Sequence, residues 1–201
     1  MLRRTVVLSL AAGMFVSIGG MVFLSCEDRL AGAVLFSVGL ISICCLGLFL
    51  FTGKIGYWAE ERTAAYAVSM LVTLAGNCAG TFMCGRLIAC AKPALAEKAA
   101  ALCGGKLTMS PAAVVITAFF CGVLMYTAVA IYKEKGTLLG VVFCVPVFIL
   151  SGFEHSIADM FYLFTAGIFT VQAAGFLLLV IVGNTLGGMF LPALRLMAKE
   201  K

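Results

Sequence analysis

Two short stretches of the chain, GNCAG at residues 76–80 and GNTLG at residues 183–187, share the pattern G-N-x-x-G. Each lies inside a long apolar run, residues 64–90 for the first copy and residues 168–197 for the second. The repetition indicates that two halves of the chain build the same unit. Glycines also favour close packing of helices in lipid, so a chance repeat of packing glycines is the alternative.

An interrupted apolar run precedes each copy of the pattern. The earlier interruption is LFTG at residues 50–53, with the polar break at Thr52-Gly53-Lys54, and the later one is LSGFEH at residues 150–155. Three runs per half, an odd number, would invert the second half relative to the first. Inverted repeats with discontinuous helices are typical of channels and transporters, whose sites lie near the bilayer midplane. We therefore predict an all-α membrane protein with a 3+3 inverted repeat.

The composition supports a membrane protein. Of 201 residues, 63% are hydrophobic and only 11% are charged, and the mean hydropathy is +1.15. A soluble globule of this size would lack the polar groups to cover its surface. The apolar runs are long enough for six transmembrane helices, since a crossing needs about 20 residues. They span residues 5–26, 30–51, 64–90, 112–132, 138–167 and 168–197.

We predict a single transmembrane domain over residues 1–201, with a first repeat at about 1–90 and a second at about 110–201, and with broken helices 2 and 5. The short connections leave no room for a soluble domain, which excludes nucleotide-driven transport by this chain alone. The nine cysteines are scattered without a C-x-x-C pair, and the chain has one histidine. Clustered ligands for a metal are therefore missing, so we expect reduced, structural cysteines and neither metal nor cofactor. Nothing in the sequence indicates a nucleic-acid partner.

The basic residues favour one orientation in the membrane. Six crossings place both termini on one side, and cytoplasmic termini put nine basic residues inside and five outside. Because cytoplasmic loops are enriched in Lys and Arg, this predicts a multi-pass protein of the cell membrane with both termini in the cytoplasm. The inside set is Arg3, Arg4, Lys54, Arg62, Lys133, Lys135, Arg195, Lys199 and Lys201, and the outside set is Arg29, Arg86, Lys92, Lys98 and Lys106.

Three ionisable residues, Glu154, His155 and Asp159, fall inside the fifth apolar run. Ionisable groups are costly within a membrane and often mark a permeation path. At helical spacing His155 and Asp159 would share one face. A bland alternative is that these residues form the outer end of a short helix that faces water.

Four motifs carry a resemblance to a known family. GFEHSIADM at residues 152–160 resembles the G-F-E-H-S-x-A-N-M signature of formate/nitrite transporters, and LFTG at 50–53 resembles their E-L-F-T-G-N loop. FSVGL at 36–40 and both G-N-x-x-G copies also match in order. The resemblance implies an aquaporin-like fold and a homopentamer. Each protomer would conduct small monovalent anions, such as formate, nitrite or hydrosulfide, through its own pore.

The resemblance also implies roles for individual residues. His155 corresponds to the central pore histidine, with Thr52 facing it, and Lys106 corresponds to a vestibule lysine that attracts anions. The other polar positions expected at the pore are Glu154, Asn77, Asn184 and Asp159. Phe36 and Phe148 match an outer apolar constriction. Leu40, Leu50 and Phe51 match the inner one, and Met125 is a further constriction candidate.

The chain departs from the family pattern at four positions. Phe49 replaces an acidic residue, Lys54 replaces an Asn, Gly122 replaces the fourth-helix Asn, and Asp159 replaces the Asn four residues after the histidine. Gly122 would remove a polar pore group. Asp159 either faces the imidazole of His155 or is a solvated charge in the outer vestibule. These departures leave the identity of the anion open.

Other classes of function fit less well. A membrane enzyme would need more polar residues, so we do not expect an enzyme. A pore for a neutral solute shares the fold but is expected to carry paired N-P-A boxes, which do not occur. A non-transporting assembly protein has no reason to break two spans at matched positions. The sequence does not choose between protonation of the anion by His155 and passage of the anion itself.

Overall fold

The computed structural model describes residues 2–199, and within them all regular structure is helical. Met1 and residues 200–201 lie outside the described residues, and so does the predicted inside charge at Lys201. The elements are α1 Leu2–Ser25, α2 Arg29–Cys45, α3 Phe51–Lys54, a 3₁₀ turn Ile55–Tyr57, α4 Trp58–Glu61, α5 Ala64–Ala91, α6 Pro93–Leu107, α7 Pro111–Lys135, α8 Leu139–Leu150, α9 Ser156–Ala166 and α10 Val171–Lys199.

Four helices in the described part of the chain are long and apolar enough to cross a membrane, namely α1, α5, α7 and α10. The other two predicted spans do not form single long helices. The second run contains α2, of 17 residues, followed by short α3, and the fifth contains α8, of 12 residues, followed by α9. Helix length therefore supports four crossings, and the count of six stays a prediction.

Local sequence signals explain where the long helices begin. The side chain of Thr63 accepts a hydrogen bond from the amide of Tyr66 and caps α5. Ser110 caps α7 in the same way, and Pro111 occupies the first position of that helix, where a missing N–H costs nothing. The α7 helix ends at Gly136, whose φ of 66° is the left-handed conformation favoured at helix C-termini.

The two interruptions have the same local structure. After α2, the amide of Leu48 bonds the carbonyl of Ile43 at 2.9 Å. After α8, the amide of Phe153 bonds the carbonyl of Phe148 at 2.9 Å. Such bonds define a Schellman cap, which needs a left-handed residue, and Gly47 and Gly152 supply it with φ of 63° and 67°. Matched caps indicate that the two halves interrupt their helices by the same device.

The first interruption lies earlier in the chain than the sequence predicted. It spans residues 46–50, whereas Thr52-Gly53-Lys54, the predicted break, lies in α3. Gly47 is flanked by leucines, so the apolar run hides the residue that ends the helix. The second interruption, residues 151–155, falls within the predicted stretch.

The repeated glycines pack the long helices in pairs. A Cβ at Gly80 would overlap the carbonyl oxygen of Leu10, so α5 lies directly against α1. A Cβ at Gly187 would overlap the carbonyl oxygen of Phe119, so α10 lies equally close to α7. Small residues allow backbones to approach in this way within a membrane. The glycines of G-N-x-x-G therefore allow the long helices to pack closely.

Candidate functional site

Thr52 and His155 meet at the centre of the candidate site. The Oγ1 atom of Thr52 lies 2.8 Å from Nε2 of His155, and both side chains are buried. His155 is the N-cap of α9, and its Nδ1 accepts a hydrogen bond from the amide of Ala158 at 3.1 Å. A neutral imidazole has one N–H, so that proton must be on Nε2 and must be donated to Thr52.

The direction of this bond leaves the Thr52 hydroxyl proton without an acceptor among the described residues. Other threonines of the helices, such as Thr117 and Thr165, donate that proton to a backbone carbonyl three or four residues earlier. Thr52 lies in the first turn of α3, so the residues three and four before it, Phe49 and Leu48, precede the helix. The site therefore presents one hydroxyl donor in an apolar surrounding.

Asn77 holds the start of α3. Its Oδ1 accepts from the amide of Phe51 at 2.9 Å, and its Nδ2 donates to the carbonyls of Ser9 and Phe49 at 2.7 and 2.9 Å. Asn77 is fully buried. One side chain thus satisfies three backbone groups around the first interruption.

Asn184 holds the start of α9 in the same way as Asn77 holds the start of α3. Its Oδ1 accepts from the amide of Ser156 at 2.8 Å, and its Nδ2 donates to the carbonyls of Ala118 and Glu154 at 2.9 and 2.8 Å. It is also fully buried. The side-chain amides of both asparagines bond backbone groups, which gives them a positioning role, and their expected contact with the anion stays a prediction.

A charged cluster lies beside His155. The ammonium of Lys106, on α6, pairs with the carboxylate of Glu154 and lies 2.9 Å from Oδ1 of Asp159. Glu154 and Asp159 are buried, with 3% and 1% of their side chains exposed. Burial alone lowers the pKa of Lys106, but Asp159 and Glu154 outweigh it and hold the pKa above its usual value. Lys106 therefore stays charged between the two carboxylates.

Asp159 is buried rather than a solvated charge. It pairs with Lys106, and its Oδ2 has no hydrogen-bond partner among the described residues. Asp159 and His155 line the same cavity, so the expectation that the carboxylate faces the imidazole, directly or through water, stays a prediction. Lys106 is not an isolated vestibule charge.

A cavity of about 80 Å³, here called the outer cavity, lies beside the charged cluster and His155. It is lined by Lys106, Asp159 and His155, and also by Phe148 and Arg29. This volume has room for a few water molecules or a small anion. The cavity therefore gives Lys106 and His155 a common space.

Two of the predicted apolar positions, Phe36 and Phe148, lie beside His155. The rings of Phe36 and Phe148 are 6.0 Å apart in an edge-to-face arrangement, and Phe148 stacks on His155 at 5.5 Å. These rings thus close the space beside the imidazole. The other candidates, Leu40, Leu50, Phe51 and Met125, are buried in the same apolar core.

Gly122 lies directly against the backbone of α10. A Cβ at this position would overlap the carbonyl oxygen of Asn184 and lie 2.8 Å from the amide nitrogen of Gly188. Position 122 therefore has a packing reason to be glycine in this chain, and the loss of a polar pore group there stays a prediction.

A second cavity, of about 240 Å³, lies beyond α3 and was missed by the sequence reasoning. Leu50 and Gly53 line it, together with Lys54, Phe49 and Lys133. The ammonium of Lys54 lies 3.6 Å from the centre of the Phe49 ring. Phe49 and Lys54 both depart from the same family motif, and these two departures were the sequence signal for this region. Their contact, however, is visible only in three dimensions.

The fold and site describe a multi-pass helical membrane protein with a buried polar centre between two cavities. The model of the family described as formate/nitrite transporter matches residues 1–198, and the chain belongs to that family. The resemblance drawn from the motifs is thus confirmed.

Known proteins agree with this assignment. The chain is 31% identical over 181 residues to a Bacillus subtilis (strain 168) protein described as uncharacterized transporter YrhG, covering 80% of this chain and 68% of that protein. Its fold is similar to a solved structure titled pentameric formate channel with formate bound, at TM-score 0.82 and 21% identity over 100% of this chain and 98% of that one. An FNT family ion channel gives TM-score 0.79 and 20% identity over 98% and 89%. At these identities the structures establish the shared fold.

Proposed function

We propose that this chain carries small monovalent anions, such as formate, nitrite, hydrosulfide or a similar weak-acid anion, across the cell membrane through a pore in each protomer. The observation that carries the proposal is the Thr52 hydroxyl, which accepts from His155 and has a proton left to donate. An anion needs donors where it leaves water, since an unpaired charge in an apolar medium is very costly.

Six crossings fit this function. Two of them would be made by helix pairs, α2 with α3 and α8 with α9, whose junctions meet at Thr52 and His155. Backbone can leave a helix at membrane depth only where protein buries it, and Asn77 and Asn184 provide the necessary hydrogen bonds. The positive end of the α9 dipole also lies at His155, which favours an anion there.

His155 has a positioning role in this mechanism. Its only neutral-state proton is donated to Thr52, and Nδ1 is occupied by the amide of Ala158. Passing the Nε2 proton to an anion through Thr52 would leave an imidazolate, which is a very strong base. We therefore propose that the anion passes without receiving a proton from His155. The histidine remains neutral, orients the Thr52 hydroxyl and strengthens the hydrogen bond from that hydroxyl to the anion.

The assembly and orientation follow as part of the same proposal. The solved relative of the same fold is titled a pentameric channel, and large apolar side chains cover the outside of this protomer. We propose a homopentamer in the lipid bilayer, with five separate pores and both termini in the cytoplasm, as the basic residues predict.

Removing the Thr52 hydroxyl tests the proposal. Thr52→Val keeps the shape and deletes the donor, and a hydrogen bond to a charged group is worth about 1.5–3 kcal/mol, so we expect formate flux to fall roughly 10- to 100-fold. Proteoliposome flux of formate, nitrite, hydrosulfide and lactate is the measurement. Thr117→Val is the matched control, since that hydroxyl bonds only its own helix.

Two results would contradict the proposal. Equal formate flux in wild type and Thr52→Val would show that the hydroxyl does not serve an anion. Passage of water or glycerol with no passage of any anion would instead favour a pore for neutral solutes.

A further inference from the structure

The 240 Å³ cavity beyond α3, here called the inner cavity, is cationic. Two basic side chains, those of Lys54 and Lys133, line it, and no carboxylate does. Lys133 also lines a neighbouring cavity, together with Glu60 and Glu134, so its charge is shared between the two spaces. Within the wall of the inner cavity itself, the charged residues are the two lysines.

Aromatic rings hold both lysines in place. Lys54 lies over Phe49 at 3.6 Å, and Lys133 lies over Tyr57 at 3.8 Å from the ring centre. A ring face attracts an ammonium group but supplies no oxygen acceptor. The lysines are therefore positioned while their N–H donors stay available to a ligand in the cavity.

The inner cavity lies at the opposite end of the site from the outer one. Arg29 lines the outer cavity, whereas Ile43 and Cys44, near the other end of α2, line the inner one. Some 14 residues at about 1.5 Å each put roughly 21 Å between them. Leu50 and Gly53 also line the inner cavity, and they flank Thr52 in sequence. The inner cavity thus adjoins the hydroxyl donor.

We propose that Lys54 and Lys133 form an anion-binding site at the inner mouth of the pore, which concentrates the permeant anion next to Leu50 and Thr52. This inference rests on the proposed function, for which it supplies the entry site. The apolar remainder of the wall excludes water and strengthens the attraction of an anion to the two ammonium groups. The volume of about 240 Å³ lets a small anion enter with part of its hydration water.

The ligand is a small monovalent oxyanion or hydrosulfide rather than a cation or a neutral solute. The wall includes two lysines, whose ammonium groups are donors, and has no carboxylate to receive a cation. Compared with the family motif, the mouth has lost an acidic residue at Phe49 and gained a basic one at Lys54. Both changes make the charge at this mouth more positive.

Flux measured from each side of the membrane tests this site. In inverted vesicles the inner cavity faces the bath, so Lys54→Gln or Lys133→Gln should raise the half-saturating formate concentration roughly two- to five-fold there, and less at high salt. In right-side-out vesicles this concentration should not change. Lys135→Gln, at the same helix end but outside the cavity wall, is the matched control. Lys54→Arg keeps the charge and should keep the wild-type value.

A second measurement does not require transport. Trp58 is the single tryptophan, is exposed and follows Tyr57. Its fluorescence reports the local concentration of iodide, a monovalent anion that quenches on collision. In solubilised protein, the Lys54→Gln/Lys133→Gln variant should show less quenching by iodide than the wild type, with quenching by neutral acrylamide unchanged.

The outcomes separate the two proposals. Unchanged iodide quenching in the double variant, an effect on formate equal from both sides, or an equal effect of Lys135→Gln would overturn the inner site. Wild-type vesicles that pass no anion would overturn the proposed function, and the iodide measurement would still decide the inner site.

Discussion

At the scale of single residues, one backbone amide determines what the centre of this molecule can do. Ala158 N–H occupies Nδ1 of His155, which puts the imidazole proton on Nε2 and makes Thr52 an acceptor. The remaining Thr52 proton then has no partner among the described residues. The sequence indicated His155, because a lone imidazole in an interrupted apolar run is unusual, and the family resemblance implied that Thr52 faces it. It could not indicate the direction of their bond, since that depends on the residue at which α9 begins.

Asp159 gives a prediction at the same scale. It adds a second carboxylate to the pair formed by Lys106 and Glu154, so the outer cavity is less attractive to anions than the single pair would be. Replacing Asp159 with Asn, the residue of the family motif, should therefore lower the half-saturating formate concentration on the outer side. The anion would meet this charge across a cavity with room for water, so a change of about 1 kcal/mol, or roughly five-fold, is expected, and it should shrink as salt rises.

Flux into right-side-out vesicles measures this effect. Asp28→Asn is the control, because it removes a carboxylate from the start of α2 while Asn caps a helix as well as Asp. If Asp159→Asn and Asp28→Asn behave alike, the charge of Asp159 has no specific influence on the entering anion.

At the scale of elements, the same construction appears twice. A glycine in the left-handed conformation ends α2 and α8, and an asparagine from a long helix bonds the first amide of α3 and α9. The sequence revealed the repeat through G-N-x-x-G. It did not reveal the carbonyls that each asparagine binds, because Asn77 and Ser9 are 68 residues apart in the chain. It also misplaced the first interruption, since Gly47 lies among leucines.

Truncating an asparagine should destabilise an interruption. Asn184→Ala would leave the amide of Ser156 and the carbonyls of Ala118 and Glu154 without a partner. Each unsatisfied buried group costs about 1–3 kcal/mol, so we expect the thermal midpoint in detergent to fall by several degrees and flux to be lost. Gln172→Ala, which removes one hydrogen bond from an exposed side chain, should change the midpoint little. Equal midpoints for the two variants would remove the structural role of Asn184.

At the scale of the whole molecule, the two mouths differ in charge. Arg29, Lys106 and Asp159 line the outer one, where Glu154 also pairs with Lys106, whereas the charged residues that line the inner one are Lys54 and Lys133. Composition and the order of apolar runs were sufficient to predict a helical membrane protein, and the motifs were sufficient to identify its family. They were insufficient for the mouths, because Lys54 and Lys133 come from α3 and α7 and share a cavity only after folding.

The outer surface of the protomer leads to the last prediction, which concerns assembly. Large apolar side chains on several helices are more than half exposed, among them Leu71, Leu87, Phe143 and Val171. Lipid can cover such side chains, and so can neighbouring protomers, whose close packing adds van der Waals contacts that fluid lipid does not match. We expect native mass spectrometry in mild detergent to give a species of about five times 21.1 kDa. Denaturing detergent should return the 21.1 kDa chain and serves as the control. A protomer that is stable alone and still conducts formate would show that each pore works without its neighbours, because every residue assigned to the pore here comes from one chain.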